Sequence, residues 1–138
     1  MITKVQSPED VKDLYFLNDD MEDHFNCTRD EWIQYITEKA SSDEYGIWIS
    51  KNKQGEVDSY LILINNVNPP LQDSVVIIYL WSVNHNALLQ IAELGEIWAK
   101  TKGAKGCTAK VSDDFNKDIL EVFGFEVVAL LVEKRFDE

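Results

Sequence analysis

The sequence predicts one α/β domain spanning residues 1–138, and three observations predict it. Apolar spacing is helical from Ser7 to Leu17, is broken by the acidic segment Asn18–His24, is helical again from Thr28 to Ala40, changes to a period of two from Gly46, and turns helical once more from Ala87 to Lys102. Helix-start signals stand at Ser7-Pro8-Glu9-Asp10 and at Thr28 with Glu31. The apolar run Val75–Trp81 suits a strand inside a sheet and is far too short to cross a bilayer. A chain of 138 residues buries roughly two-thirds of its unfolded surface, so it needs neither disulfide nor metal to fold.

The elements follow in order. Thr3–Gln6 reads as a short strand. A helix is expected from Ser7, with proline at its first position, acids in its first turn, and Val11, Leu14, Tyr15 and Leu17 on its apolar face. A second helix starts at Thr28 and runs to about Ala40, with Trp32, Tyr35 and Ile36 on one stripe. Gly46–Ser50 and Val57–Ile64 are strands joined by the turn Asn52-Lys53-Gln54-Gly55. Asn65–Gln72 is a loop, because Pro69 and Pro70 lack amide donors. Ser74–Ser82 is a strand covered on both faces. Ala87–Lys102 is a helix whose buried face is Leu88, Ile91, Ala92, Gly95, Trp98 and Ala99, stopped by Gly103. Lys105–Ser112 is a strand, Asp113–Phe123 a short helix and Val127–Phe136 a last strand.

Charge narrows the partners. Thirteen Lys and Arg stand against 25 Asp and Glu, a net charge of −12. Twelve of the acids and only four of the bases fall within residues 1–45. Such a chain repels phosphate backbones, so no nucleic acid is expected as a partner. No Lys or Arg occurs between Lys53 and Lys100, so an anionic ligand bound there must rely on backbone amides and a helix dipole. No basic-then-apolar leader opens the chain, so neither a signal peptide nor a membrane partner is expected. Cys27 and Cys107 have no metal-ligand spacing and read as free thiols in a reducing cytoplasm.

The order strand, two helices, three-strand meander, helix, strand, helix, strand resembles the GNAT N-acetyltransferase superfamily. Trp98-Ala99-Lys100 followed by Gly103-Ala104-Lys105 resembles the exit of that family's central helix, and Gly124-Phe125-Glu126 its entry into the sixth strand. The resemblance covers almost the whole chain and implies a mixed, mostly antiparallel sheet with helices on both faces. It implies acetyl-CoA or another acyl-CoA as cofactor and a small-molecule or protein amine as acceptor.

The resemblance also implies where the cofactor lies. Tyr79 to Val83, with Trp81, fall beside the pantetheine arm. Val83 occupies the basic position of the pyrophosphate loop, while Asn84, Asn86 and Leu88 occupy its glycine positions, with His85 between the asparagines. Asp113 replaces the asparagine that opens the last helical segment, and the tyrosine acid of the family falls at Leu120. Asn84 and Asn86 tolerate left-handed conformations, but Leu88 stands where phosphate should sit unless it turns into the core. The cradle is therefore degenerate, and no catalytic acid or base is assigned.

Other clusters are weaker. Asp19-Asp20-Met21-Glu22-Asp23-His24 reads as a solvated acidic loop, since consecutive residues cannot all face one ion. Asp114–Asp118 begins like a calcium loop but has Ile119 where glycine is needed and Phe125 where glutamate is needed. His85 reads as a turn residue with a neighbouring asparagine as N-cap. Three functions remain. The first is an acyl-CoA-dependent N-acyltransferase with a degenerate loop. The second is a non-catalytic GNAT-fold protein, similar to short phage-encoded members, serving a protein partner or a homodimer. The third is an acidic mimic of nucleic acid, supported by net charge alone.

Overall fold

A computed structural model describes residues 1–11, 27–109, 121, 124–126, 134 and 136. Its elements are strand β1 (Ile2–Lys4), helix α1 (Arg29–Lys39), strands β2 (Tyr45–Lys51), β3 (Val57–Asn65) and β4 (Ser74–Ser82), helix α2 (His85–Thr101) and strand β5 (Gly106–Ala109). The sheet order is β1-β2-β3-β4-β5. The first three pairings are antiparallel and β4 pairs β5 in parallel. The parallel pair follows from α2, which carries the chain back to the end of the sheet where β4 began. This is the mixed, mostly antiparallel sheet that the resemblance implies.

Two side-chain clusters place the helices on opposite faces. Trp32 and Ile36 of α1 pack with Ile47, Ile49, Tyr60, Ile62 and Tyr79. Ile91, Trp98 and Ala99 of α2 pack with Trp48, Leu61, Leu63 and Val75 on the other face. Each fully buried aliphatic side chain in these clusters contributes about 1.5–3 kcal/mol. The expected stripe of α2 is nearly the observed one: Ala87, Leu88, Ile91, Gly95, Trp98 and Ala99 are buried, while Ala92 is half-buried.

Local chemistry sets the ends of the helices. The Thr28 hydroxyl accepts the Glu31 N–H at 3.2 Å, and the Glu31 carboxylate accepts the Thr28 N–H at 3.0 Å. The Thr28 backbone N–H first, and the Thr28 side chain second, hold the Glu31 carboxyl below its ordinary value. Gly103, at φ +80°, ends α2 in a conformation other residues rarely adopt. At the β2–β3 turn, Asn52 Oδ1 accepts both Gln54 N–H and Glu56 N–H at 3.0 Å. Gly46 makes room for an indole: a Cβ there would stand 2.6 Å from Trp48 Cη2. Trp48 in turn meets Trp98 edge-on at 5.9 Å.

Three expectations are corrected. The opening strand is Ile2–Lys4 rather than Thr3–Gln6, because pairing with β2 begins at Ile2–Ser50. At Pro8–Val11 the chain forms a 3₁₀ turn where an α-helix was expected. There the Asp10 carboxylate folds back to accept the N–H groups of Gln6 and Ser7 at 3.1 and 3.2 Å. β4, read as covered on both faces, does lie inside the sheet with Val75 in the α2-face cluster and Tyr79 in the α1-face cluster, but its other residues are only half-buried, and the buried centre falls on β2 and β3. The rest of the helix expected from Ser7, the acidic segment 19–24, most of the segment 113–123 and nearly all of the strand expected at 127–136 lie outside the described residues.

Candidate functional site

Strand β4 carries two irregularities that shape its end. Ile62 pairs with Tyr79 but Leu63 pairs with Ile77, so Ile78 is the extra residue of a bulge. On its other edge, β4 pairs with β5 from Ser74–Gly106 to Ile77–Ala109. The strand itself runs on to Ser82, beyond that described pairing. Trp81, on the α1 face, is half-buried with its ring 5.8 Å from Tyr60.

The junction with α2 is tightly bonded. Ser82 Oγ accepts the Asn84 N–H at 3.1 Å and donates to the Asn84 carbonyl at 2.9 Å. The Val83 N–H donates to the Asp58 carbonyl at 2.9 Å, leaving the Val83 side chain exposed. Asn84 is the N-cap, its Oδ1 accepting the Ala87 N–H at 3.2 Å, and the Leu88 N–H donates to the Asn84 carbonyl at 3.0 Å. Among the described residues this leaves the N–H groups of His85 and Asn86 without a partner, at the positive end of a 17-residue helix. Both side chains are exposed. Leu88 is 7% exposed and turned into the core, so it does not obstruct that first turn. Asp113 and Leu120 lie outside the described residues.

Sequence reasoning passed over Asp58. Ser50 pairs with Ser59 and Lys51 with Val57, so Asp58 is the extra residue of a second bulge. Strict alternation places Asp58 on the face of Tyr60 and Ile62; the bulge instead turns it toward α2. Its side chain is buried, with Oδ2 accepting the Asn84 Nδ2–H at 2.9 Å and Oδ1 without a partner among the described residues. A cavity of about 520 Å³ opens here, lined by Lys51, Lys53, Asp58, Asn84, Asn86 and Gln90 among others. The hairpin thus brings two lysines to the helix start, although none lies near it along the chain. Among the described residues no group of three His, Cys, Asp or Glu converges as a metal site. None of the described helices is long and apolar enough to cross a membrane.

No family profile and no curated protein matches the chain by sequence. Solved structures do match, end to end. The aminoglycoside 6'-N-acetyltransferase AAC(6')-Ih from Acinetobacter baumannii superposes with a TM-score of 0.77 at 14% identity, covering 100% of this chain and 98% of that one. The aminoglycoside N-acetyltransferase AAC(6')-Iy in complex with CoA gives 0.78 at 12% identity, covering 99% and 93%. A Pyrococcus furiosus protein assigned as an acetyl transferase gives 0.70 at 19% identity, covering 99% and 100%.

The chain has the GNAT fold.

Within the GNAT fold, α2 is the central helix that follows the fourth strand, and the residues anticipated for its loop are Val83 to Leu88. The structure brings Asn84, His85 and Asn86 together at one helix start and leaves Trp81 on the sheet, against the α1 cluster. Gly124 has φ +88° and its N–H donates to the Glu121 carbonyl at 3.0 Å, a turn at the position of the Gly-Phe-Glu step.

Proposed function

We propose that this chain is an acyl-CoA-dependent N-acyltransferase whose cofactor cradle is reduced to the first turn of α2 and the outer edge of β4. One observation carries the reading. Leu88, at the third glycine position of the loop, is packed in the core, and the neighbouring N–H groups of His85 and Asn86 have no partner among the described residues. Unpaired amides at a helix start suit a pyrophosphate without any basic side chain.

The residues present fit the cofactor in outline. His85 and Asn86 would receive the pyrophosphate on their amides, with Asn84 capping the helix and Val83 at the turn. Tyr79 to Val83, Trp81 included, would run beside the pantetheine arm, whose amides pair with a strand edge as a neighbouring strand would. Asp113 belongs to the same proposed site by its place in the sequence. Bound acyl-CoA supplies an activated thioester to an amine acceptor, a small molecule or a protein. What the chain contributes is orientation of the two reactants, which alone lowers barriers substantially. His85 lies at the same helix start and has no carboxylate partner among the described residues to orient it as a base. Cys27 and Cys107, which form no disulfide, fit a cytoplasmic setting.

Calorimetric titration with acetyl-CoA tests this reading. Binding in the micromolar range is expected, with weaker binding of desulfo-CoA and dephospho-CoA locating the contacts. No heat at millimolar acetyl-CoA, in protein shown to be folded, overturns it. The buried Asp58 beside the helix start favours a second reading, in which the fold is kept for a protein partner or a homodimer and acyl-CoA binding has been lost.

A further inference from the structure

We infer that Asp58 sets the charge selectivity of the α2 helix start, weakening the binding of polyanionic ligands there relative to neutral ones. The inference rests on the reading of that helix start as the cofactor site.

The carboxylate is fixed and under-compensated. It is 5% exposed, and its hydrogen bonding is limited to the side-chain amide of Asn84 on one oxygen. Among the described residues no Lys, Arg or His pairs with it. A buried carboxylate normally collects two or three donors or a cation; this one has a single neutral donor.

Its connection to the helix is direct. Asn84 Nδ2 donates to Asp58 while Asn84 Oδ1 accepts the Ala87 N–H, so one side chain separates the acid from the first turn. The Asp58 carbonyl also holds the Val83 N–H at 2.9 Å, which fixes the turn over the acid. The positive end of a helix amounts to roughly half an elementary charge. A full negative charge placed behind it opposes that attraction for an arriving phosphate. Lys51 and Lys53 line the same cavity, but Asp58 is the charged group bonded to the cap. A unit charge about 10 Å from a phosphate, at an effective dielectric of about 40, changes affinity roughly fourfold.

Asp58→Asn removes the charge and keeps an acceptor for Asn84. Wild type and variant would each be titrated with CoA and with pantetheine, the neutral part of the same ligand, after thermal melts establish that both are folded. The expected result is a CoA dissociation constant lower by roughly fourfold or more in the variant, with that for pantetheine unchanged. Equal CoA affinities overturn the inference and leave the cofactor reading standing. Parallel shifts for CoA and pantetheine also overturn it, because they report a structural effect rather than a charge effect. CoA binding by the variant alone supports the inference and shows that the native chain has lost its cofactor. Binding by neither protein overturns both. Asp58→Ser, neutral and smaller, repeats the comparison if the first variant does not fold.

Discussion

Asn84 uses both ends of one side-chain amide: Nδ2 donates to the Asp58 carboxylate at 2.9 Å, and Oδ1 accepts the Ala87 N–H at 3.2 Å. The bulge of β3 and the first turn of α2 are thereby joined through a single residue. That residue caps the helix, and the bond to Asp58 dictates which way its amide faces.

Asn84→Ala should therefore cost more than an ordinary cap. Losing a cap costs about 0.5–2 kcal/mol, and stripping a buried carboxylate oxygen of its donor adds about 1–3 kcal/mol. A combined loss of about 2–4 kcal/mol is expected from urea denaturation. Asn84→Asp, also a good cap, should be destabilising too, because it sets a second carboxylate against Asp58. A loss below about 1 kcal/mol for Asn84→Ala would show that the Asp58 bond carries nothing.

Gly46→Ala tests the packing of the α2 face. The new Cβ would fall 2.6 Å from Trp48 Cη2 and 3.0 Å from Trp98 Cδ2, both atoms of rigid buried rings. Overpacking of this kind costs about 1–3 kcal/mol, read as a lowered denaturation midpoint with an unchanged slope. A neutral result would mean the indoles have room to shift.

Alkaline stability should depend on Tyr35. Its ring lies edge-on to Tyr45 at 6.0 Å, the two hydroxyls are hydrogen-bonded, and Lys39 lies over both rings. Burial first, and the Tyr45 hydroxyl second, push the Tyr35 phenol well above its ordinary 10.0. Above that value the folded chain holds a proton that the unfolded chain releases. The stability linked to Tyr35 is therefore complete below pH 10 and declines as the pH rises further. Tyr35→Phe should remove part of this alkaline decline in denaturation measured between about pH 9 and 11, and absorbance titration should show one phenol ionising late. An unchanged pH profile in the variant would contradict this.

Cys107 should be an unreactive thiol. Burial pushes it up to about 11 from an ordinary 9.0, so almost no thiolate exists at pH 8. Native protein should label at Cys107 at least about tenfold more slowly than unfolded protein, as mapped by peptide mass. This group too binds its proton more tightly in the folded state, so its linked stability is lost from pH 9 upward through 11. Tyr35→Phe accordingly leaves a residual alkaline decline. Equal labelling of native and unfolded chains would show that Cys107 is open to solvent.

Much of the fold was legible because its signals are local. Thr28 and Glu31 announce a capping box, and the structure makes both of its bonds. Leu88, Ile91, Gly95, Trp98 and Ala99 recur at helical spacing and are all buried. Asn52 and Gly55 mark a turn that the Asn52 side chain closes. What escaped depends on register. Nothing in Val57-Asp58-Ser59 shows that pairing slips by one residue there, yet that slip turns an acid toward α2. The gap in cations between Lys53 and Lys100 is real along the chain, but hairpin pairing carries Lys51 and Lys53 to the helix start. The fate of Leu88 was likewise undecidable from sequence, because a leucine at a helix start faces core or ligand according to how the helix is rolled on the sheet. Asn84, His85 and Asn86 were identified as a group, and the structure assigns them different work: one caps, and two leave their amides unpaired among the described residues.

Backbone amide NMR of ¹⁵N-labelled protein titrated with acetyl-CoA tests the central claim most directly. The account predicts that the largest shifts fall on the His85 and Asn86 N–H groups, followed by Tyr79 to Val83 along the edge of β4. Saturable shifts confined to other surfaces, or none at millimolar acetyl-CoA in folded protein, would contradict it.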